Sequence, residues 1–259
     1  IFDQALSDPA FTGVLQGLTD KYGVGFGSSS YGLIGHWAFE DATGLSALDS
    51  SGADHHGTLV GTNFDFDTAA TQGKIGQALI FDGVNQRVDI SSLTENLSEF
   101  TLAAWVKQSP GVTVDNMIVD LSNNLGLRID PNNFAQSFIA EGFEIFSYVA
   151  DNLSLDDDQW HFLSSRYKNG VLQLTVDQTT AVSANVGPIS FANTGDRAIG
   201  SHSDSVQNYF NGAIDEVRIY DRALSDAEIG ALSITTASIL PVCGSTTEIE
   251  LTFSGPLAA

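Results

Sequence analysis

The segment AIDEVRIY, Ala213 to Tyr220, sets a carboxylate, Asp215, inside a run that otherwise reads as a buried β-strand. Side chains alternate along a strand, so Asp215 is expected to share a face with Val217 and Ile219, while Ile214, Glu216 and Arg218 take the other. A carboxylate on a core face must be paired or ligate a metal, because a bare buried charge is costly. Arg218, on the opposite face by parity, is a poor partner. A hard cation suits the position, and Ca²⁺ takes about six to eight oxygen ligands, many of them backbone carbonyls. The other reading is a carboxylate bonded to backbone N–H groups, and both readings stand.

The remaining reactive residues form no catalytic pattern. Glu141 and Glu144 are three apart in AEGFEIF and so face opposite sides of a strand, and Asp156-Asp157-Asp158 reads as a solvated turn. His55 and His56 are adjacent in ADHHG, His36 and His161 each neighbour a tryptophan, and none has zinc-ligand spacing. There is no H-E-x-x-H, P-loop or G-x-S-x-G. Trp37, Trp105 and Trp160 read as core residues. Loop aromatics are better placed to stack on sugars: Phe146 and Tyr148 share a strand face, Phe143 does not, and Tyr209 lies in VQNYFNG. His202, in SHSDS, sits in a loop that could approach a ligand.

Lys and Arg number 10 against 32 Asp and Glu, a formal charge of −22, which disfavours nucleic acid and anionic membranes as partners. Such an acidic surface fits cations, neutral or basic ligands, or a salty medium. With a hydrophobic content of 42% the chain can bury a sizeable core. The single cysteine, Cys243, rules out an intrachain disulfide, though an interchain bridge stays open. No apolar run approaches the roughly 20 residues of a membrane span. The chain starts at Ile1, which is read as a processed protein or a fragment with any signal peptide removed.

These residues must be held by elements of three kinds. Residues 1–32 read as an arm: Asp8-Pro9 starts a helix, Phe11, Val14, Leu15 and Leu18 line one face, and a Gly-Ser link follows. Residues 33–233 read as short strands punctuated by Gly, Asn and Asp, with a hairpin turn at KNGV, Lys168–Val171, which argues for a β-sandwich. A helix closes the run, its capping box formed by Ser225 and Glu228, with Ala227, Ile229 and Leu232 available to the core. Residues 234–259 hold one alternating strand, TEIELTF, which must add to the sandwich edge, join another chain, or begin a further domain.

Six motifs in order carry a family likeness: GLIGHWAFED, LDSSGADHHGTLVG, GKIGQALIFDGVNQRVDI, FTLAAWVK, DDQWHFLSSRY and FNGAIDEVRIYDRALSDAEI. Over about Leu33 to Leu232 the chain resembles the laminin G-like, concanavalin A-like jelly-roll family of secreted bacterial and archaeal proteins. The resemblance implies an all-β, two-sheet antiparallel jelly roll, with the short N-terminal helix and the C-terminal capping helix appended. It also implies a structural Ca²⁺ on Asp215, completed by carbonyls of the first strand near Glu40 and of a glycine-containing turn near Asp82 and Gly83, with Asp49 a weaker candidate. Laminarinase-like glucanases of the same superfamily carry E-x-D-x-x-E on one strand, which this sequence lacks.

The expected function is a non-catalytic extracellular or cell-surface module that binds a glycan or a protein through Phe146, Tyr148, His202 and Tyr209. A structural subunit of an extracellular filament, self-associating through residues 1–31 and 247–253, is the alternative, and a glycoside hydrolase the second. Asn96 and Asn152 head glycosylation sequons.

Overall fold

A computed structural model describes residues 31–94, 96–122, 125–141, 144–187, 196–203, 207–234, 237–239 and 251–253; at 141, 144–149, 180–185, 237–239 and 251–253 it describes the backbone alone. The expected N-terminal helix, residues 247–250, Phe143 and Cys243 lie outside the described residues. Two compact units divide the chain, Gly32–Leu224 and a second made of Ile1–Tyr31 with Ser225–Ala259.

The first unit is the expected antiparallel sandwich. One eight-stranded sheet runs β14 (Thr179–Asn185), β13 (Val171–Val176), β12 (His161–Lys168), β7 (Phe100–Gln108), β16 (Asn211–Tyr220), β5 (Gln77–Asp82) and β4 (Ala70–Gln72), with β1 (Leu33–Trp37) also on β16. The other runs β11 (Glu144–Ser154), β10 (Phe134–Glu141), β9 (Leu125–Ile129), β8 (Asn116–Leu121), β15 (Arg197–Ile199), β6 (Arg87–Asp89), β3 (Gly57–Val60) and β2 (Ser46–Ala47). Below they are the first and the second sheet.

Alternation explains what lies between them. Leu102, Ala104 and Val106 of β7, Leu172, Leu174 and Val176 of β13, and Leu125, Leu127 and Ile129 of β9 all enter one core with Trp37, Phe81, Phe100 and Phe210. Ser137 of β10 and Ser165 of β12, both buried, hydrogen-bond to each other across the core, so neither hydroxyl is left unsatisfied. The hairpin at Lys168–Val171 forms as expected, with Asn169 (φ 50°) and Gly170 (φ 83°) both left-handed, as a type I′ turn requires. A short helix missed in the sequence, α1 (Phe66–Ala69), is capped by Asp65 and inserts Phe66 into the core.

In the second unit, α2 (Asp226–Leu232) carries the expected capping box of Ser225 and Glu228. Ile229 is buried and Leu232 half-buried, whereas Ala227 is exposed. The strand of residues 251–253, β18 (Leu251–Phe253), pairs with β17 (Ala237–Ile239) in a two-stranded sheet of its own. Its partner is therefore the preceding stretch, which the sequence reading had left without a strand.

Gly126 tests the tightness of the second sheet. A Cβ there would lie 2.5 Å from Cζ of Phe138 and 2.7 Å from the backbone oxygen of Val119, which cannot move aside. Gly126→Ala is expected to cost about 1–3 kcal/mol of stability, read as a lower midpoint in urea.

Candidate cation site and ligand face

Asp215 sits where β16 changes partners. Asn211–Ile214 pair with β5, while Val217–Tyr220 pair with β1. Between them the register against β7 slips, from Asp215 opposite Trp105 to Arg218 opposite Ala103, and Glu216 takes φ 54°. The bulge breaks the alternation. Ile214 and Val217 both enter the core, and Asp215 goes to the outer face beside Trp105. This corrects the expected face of Asp215: it does not lie with Val217 and Ile219. It also returns Arg218 to the outer face, where its guanidinium pairs with Glu216.

Though on the outer face, Asp215 is fully buried. Its Oδ2 accepts the backbone N–H of Ile75 at 2.9 Å, and its Oδ1 is buried without a hydrogen-bond partner. Burial pushes its pKa up to about 7; the Ile75 and Lys74 N–H groups oppose the shift and the neighbouring Glu216 adds to it. One carboxylate oxygen is thus held by backbone and the other is unspent.

The glycine-containing turn that reaches Asp215 is 73–77, between β4 and β5. A Cβ on Gly73 would lie 2.7 Å from Asp215 Oδ2, and one on Gly76 (φ 56°) would collide with the Glu40 carboxylate. Glu40 Oε1 accepts the N–H of Gln77 at 2.9 Å, and the Gln77 amide donates to the carbonyls of Phe39 and Asp41, each at 2.9 Å. Phe39, at φ 57°, makes the kink just after β1 that precedes Glu40. Glu40 and the carbonyls of Phe39 and Asp41, just after β1, therefore meet the same turn as Asp215.

Asp82 and Gly83 do not. Asp82 pairs with Asn211, four residues along β16 from Asp215, and its Oδ1 accepts the N–H groups of Val84 and Asn85 in a tight turn. Asp49 is spent as well: it accepts the N–H groups of His36, Ser51 and His55 and the Ser51 hydroxyl, at 2.7–2.9 Å. Burial raises its pKa, but those bonds outweigh it and hold the carboxyl below its ordinary value. Among the described residues no three His, Cys, Asp or Glu side chains gather to hold a metal, so any ion here relies on carbonyls. The donor set suits a hard cation: an unspent buried carboxylate oxygen, a second carboxylate and clustered carbonyls.

Glu216, thrown out by the bulge, accepts from His36 Nε2 at 2.8 Å and from Arg218, and these hold its carboxyl below the ordinary value although burial opposes them. His161 is held between two carboxylates: Nδ1 meets Asp177 at 2.6 Å and Nε2 meets Asp157 at 3.0 Å, and its pKa is raised chiefly by the Asp177 bond. Trp37 is a core residue, whereas Trp105 lies on the outer face with Lys74 Nζ 4.6 Å from its ring centroid and its Nε1 buried without a partner.

The expected ligand residues divide. His202 stands over the outer face of the second sheet, Nδ1 3.5 Å from the buried Asp120, which also accepts the Ser203 N–H at 2.8 Å. Tyr209 is 8% exposed and offers little surface. Tyr148 is in register with Phe138, which lies beside Met117 away from the core. Phe146 falls in a register shift between Ile139 and Ala140, so simple parity no longer pairs it with Tyr148. The side chains of Phe146 and Tyr148 lie outside the described residues.

Residues 81–230 match the family model described as the concanavalin A-like lectin/glucanases superfamily, of the laminin G type. The chain belongs to this family. No curated protein sequence matches this concanavalin A-like chain. Among solved structures it is similar to domain 4 of AbnA, a GH43 extracellular arabinanase from Geobacillus stearothermophilus in complex with arabinotriose, at 21% identity and TM-score 0.60, covering 78% of this chain and 98% of that one. It is similar to the binding domain of Paraclostridial Mosquitocidal Protein 1 at 14% identity and TM-score 0.57, covering 79% of this chain and 52% of that one. A third is a Trypanosoma rangeli sialidase, at 15% identity and TM-score 0.54, of which the match spans 32% against 76% of this chain. The chain thus matches about half of the second structure and a third of the last.

Without a cation, Asp215 binds a proton more tightly folded (about 7) than unfolded (3.8), so stability falls as pH rises between those values. Calorimetry in chelator should show a lower Tm at pH 8 than at pH 5, and Asp215→Asn should flatten that slope.

Proposed function

We propose that the chain is a non-catalytic glycan-binding module displayed outside the cell, with a structural Ca²⁺ at Asp215. The observation that carries the reading is the match in extent: the similarity covers 98% of the arabinanase's domain 4, a domain seen with arabinotriose. The second sheet adds chemical support, since its outer face carries the part-exposed imidazole of His202, the carboxylate of Asp89 and the guanidinium of Arg87, groups that exchange hydrogen bonds with sugar hydroxyls. No strand carries the triple-acid motif of the superfamily's glucanases.

Calcium, when bound, would supply the positive charge that a buried carboxylate needs. Asp215 would give the unspent oxygen, and Glu40 with the carbonyls of Phe39 and Asp41 are the remaining candidates. Asp215 and Glu40 already fix the 73–77 turn through the N–H groups of Ile75 and Gln77, so ion binding tightens an existing join.

Adding Ca²⁺ to chelated protein should raise the Tm of the natural chain and move Asp215→Asn far less; a Tm indifferent to calcium would remove the ion from the reading. On a glycan array the full chain should retain at least one glycan, while incubation with that glycan releases no reducing sugar. Turnover would favour a hydrolase, and the absence of any retained glycan would end the glycan reading.

A further inference from the structure

The pairings of the second sheet line up a single row of residues across all eight strands. Tyr148, Phe138, Gly126, Asp120, Ala198, Asp89, Thr58 and Ser46 are successive register partners. Val88 and Leu59 point into the core, so Arg87 and Asp89 of β6 and Thr58 and Val60 of β3 point outward. Thr58 is exposed, and Val60, Arg87, Asp89 and His202 are half-buried. This end of the row is therefore accessible, whereas Asp120 and Phe138 at the other end are closed off.

The polar groups at the accessible end are unspent. Among the described residues Arg87 makes no hydrogen bond, ion pair or ring contact, although acids outnumber bases 32 to 10 in the chain. Asp89 uses Oδ1 to accept the Ser91 N–H at 2.9 Å, and Oδ2 takes no bond. The Thr58 hydroxyl, directly opposite Asp89, has no partner either. Arg87 and Asp89 stand about 7 Å apart along one strand face, too far to neutralise each other by direct contact at their Cβ positions but within the span of one sugar ring and its hydroxyls.

Across β15 the only side chain in the row is the methyl of Ala198, itself covered. Beyond it, about 10 Å from Asp89 at the usual strand spacing, Asp120 anchors the loop that carries His202. That loop also holds Ser203 Oγ, buried without a hydrogen-bond partner. A low strip of free donors and acceptors is thus bordered by an anchored histidine, with Val60 supplying apolar surface beside Arg87 in the pairing of β3 with β6.

We propose that this strip, Thr58, Arg87 and Asp89, with the anchored His202 on its border, seats an uncharged oligosaccharide. The proposal rests on the glycan reading above and deepens it by placing the ligand and naming its class. A sugar hydroxyl both donates and accepts, so one vicinal pair satisfies the Arg87 guanidinium and Asp89 Oδ2 together. A uronate or sialate would gain one cation, Arg87, against two carboxylates, Asp89 and Asp120, within a chain of net charge −22.

Isothermal titration of the full chain tests this with arabinotriose, cellotriose and laminaritriose against trigalacturonate and 3′-sialyllactose. Binding of at least one neutral probe, with affinity falling about tenfold or more in Arg87→Ala and Asp89→Asn and less in His202→Ala, is expected. Lys168→Ala, on the first sheet, should bind as the natural chain does. Neutral binding that survives all three strip variants overturns the placement while leaving the glycan reading intact. Binding of only the acidic probes overturns the ligand class. Failure of every probe overturns the glycan reading and this inference with it.

Discussion

One strand has to serve two partners along the same edge. β16 gives its first half to β5 and its second half to β1, so Asp215 and Glu216 lie where neither neighbour reaches. Backbone polar groups left bare in a buried sheet are costly. The bulge answers that constraint by placing Glu216 in a left-handed conformation that costs on the order of 1 kcal/mol or more. His36 and Arg218 then engage the displaced carboxylate, and Asp215 reaches over to the turn that joins β4 to β5. The first strand, the β4–β5 turn and the last strand of the sandwich are thereby joined at two adjacent acids, Glu216 and Asp215.

Much of this was legible in residue types. Alternation gave the sandwich, Asn169-Gly170 gave its hairpin, and Ser225 with Glu228 gave a helix start, because each is a local preference that the fold obeys. The face of Asp215 was not legible. It depends on one non-glycine residue at positive φ, and nothing in the composition around Glu216 signals that. The turn beneath it was misplaced for a related reason. Both FDG and QGKIG look like turns, and only the pairing of β5 with β16 shows that Gly73 and Gly76, rather than Gly83, come up to the carboxylates. Trp105 was assigned to the core because tryptophan in a strand usually packs there, yet its register with Asp215 sends it outward. α1 was missed because four residues are too few for a helical period to show.

Charge is distributed with economy. Several described cations are committed locally: Arg128 to Asp115, Lys107 to Asp158, Lys168 to Glu99, and Arg218 to Glu216. The exposed pairs among them, Lys107–Asp158 and Lys168–Glu99, contribute little to stability, about 0–1 kcal/mol each. What they do is leave a predominantly negative surface on which an uncommitted guanidinium such as Arg87 stands out. A surface of that sign holds off anionic polymers while leaving neutral, hydroxyl-rich molecules unaffected, and salt reduces its reach without altering the short-range bonds on the sheet.

The pairing of β1 with β16 also bears on how the chain is made. Residues 33–37 are synthesised some 180 residues before Val217–Tyr220, the strand they pair with among the described residues. At roughly 5–20 residues per second, the opening strand waits on the order of ten seconds or more with its edge uncovered. Closure of this sandwich is therefore a late event governed by the arrival of its final strand, and a nascent chain halted before that point would expose an apolar, hydrogen-bonding ribbon of the kind that chaperones or a secretion channel must shield.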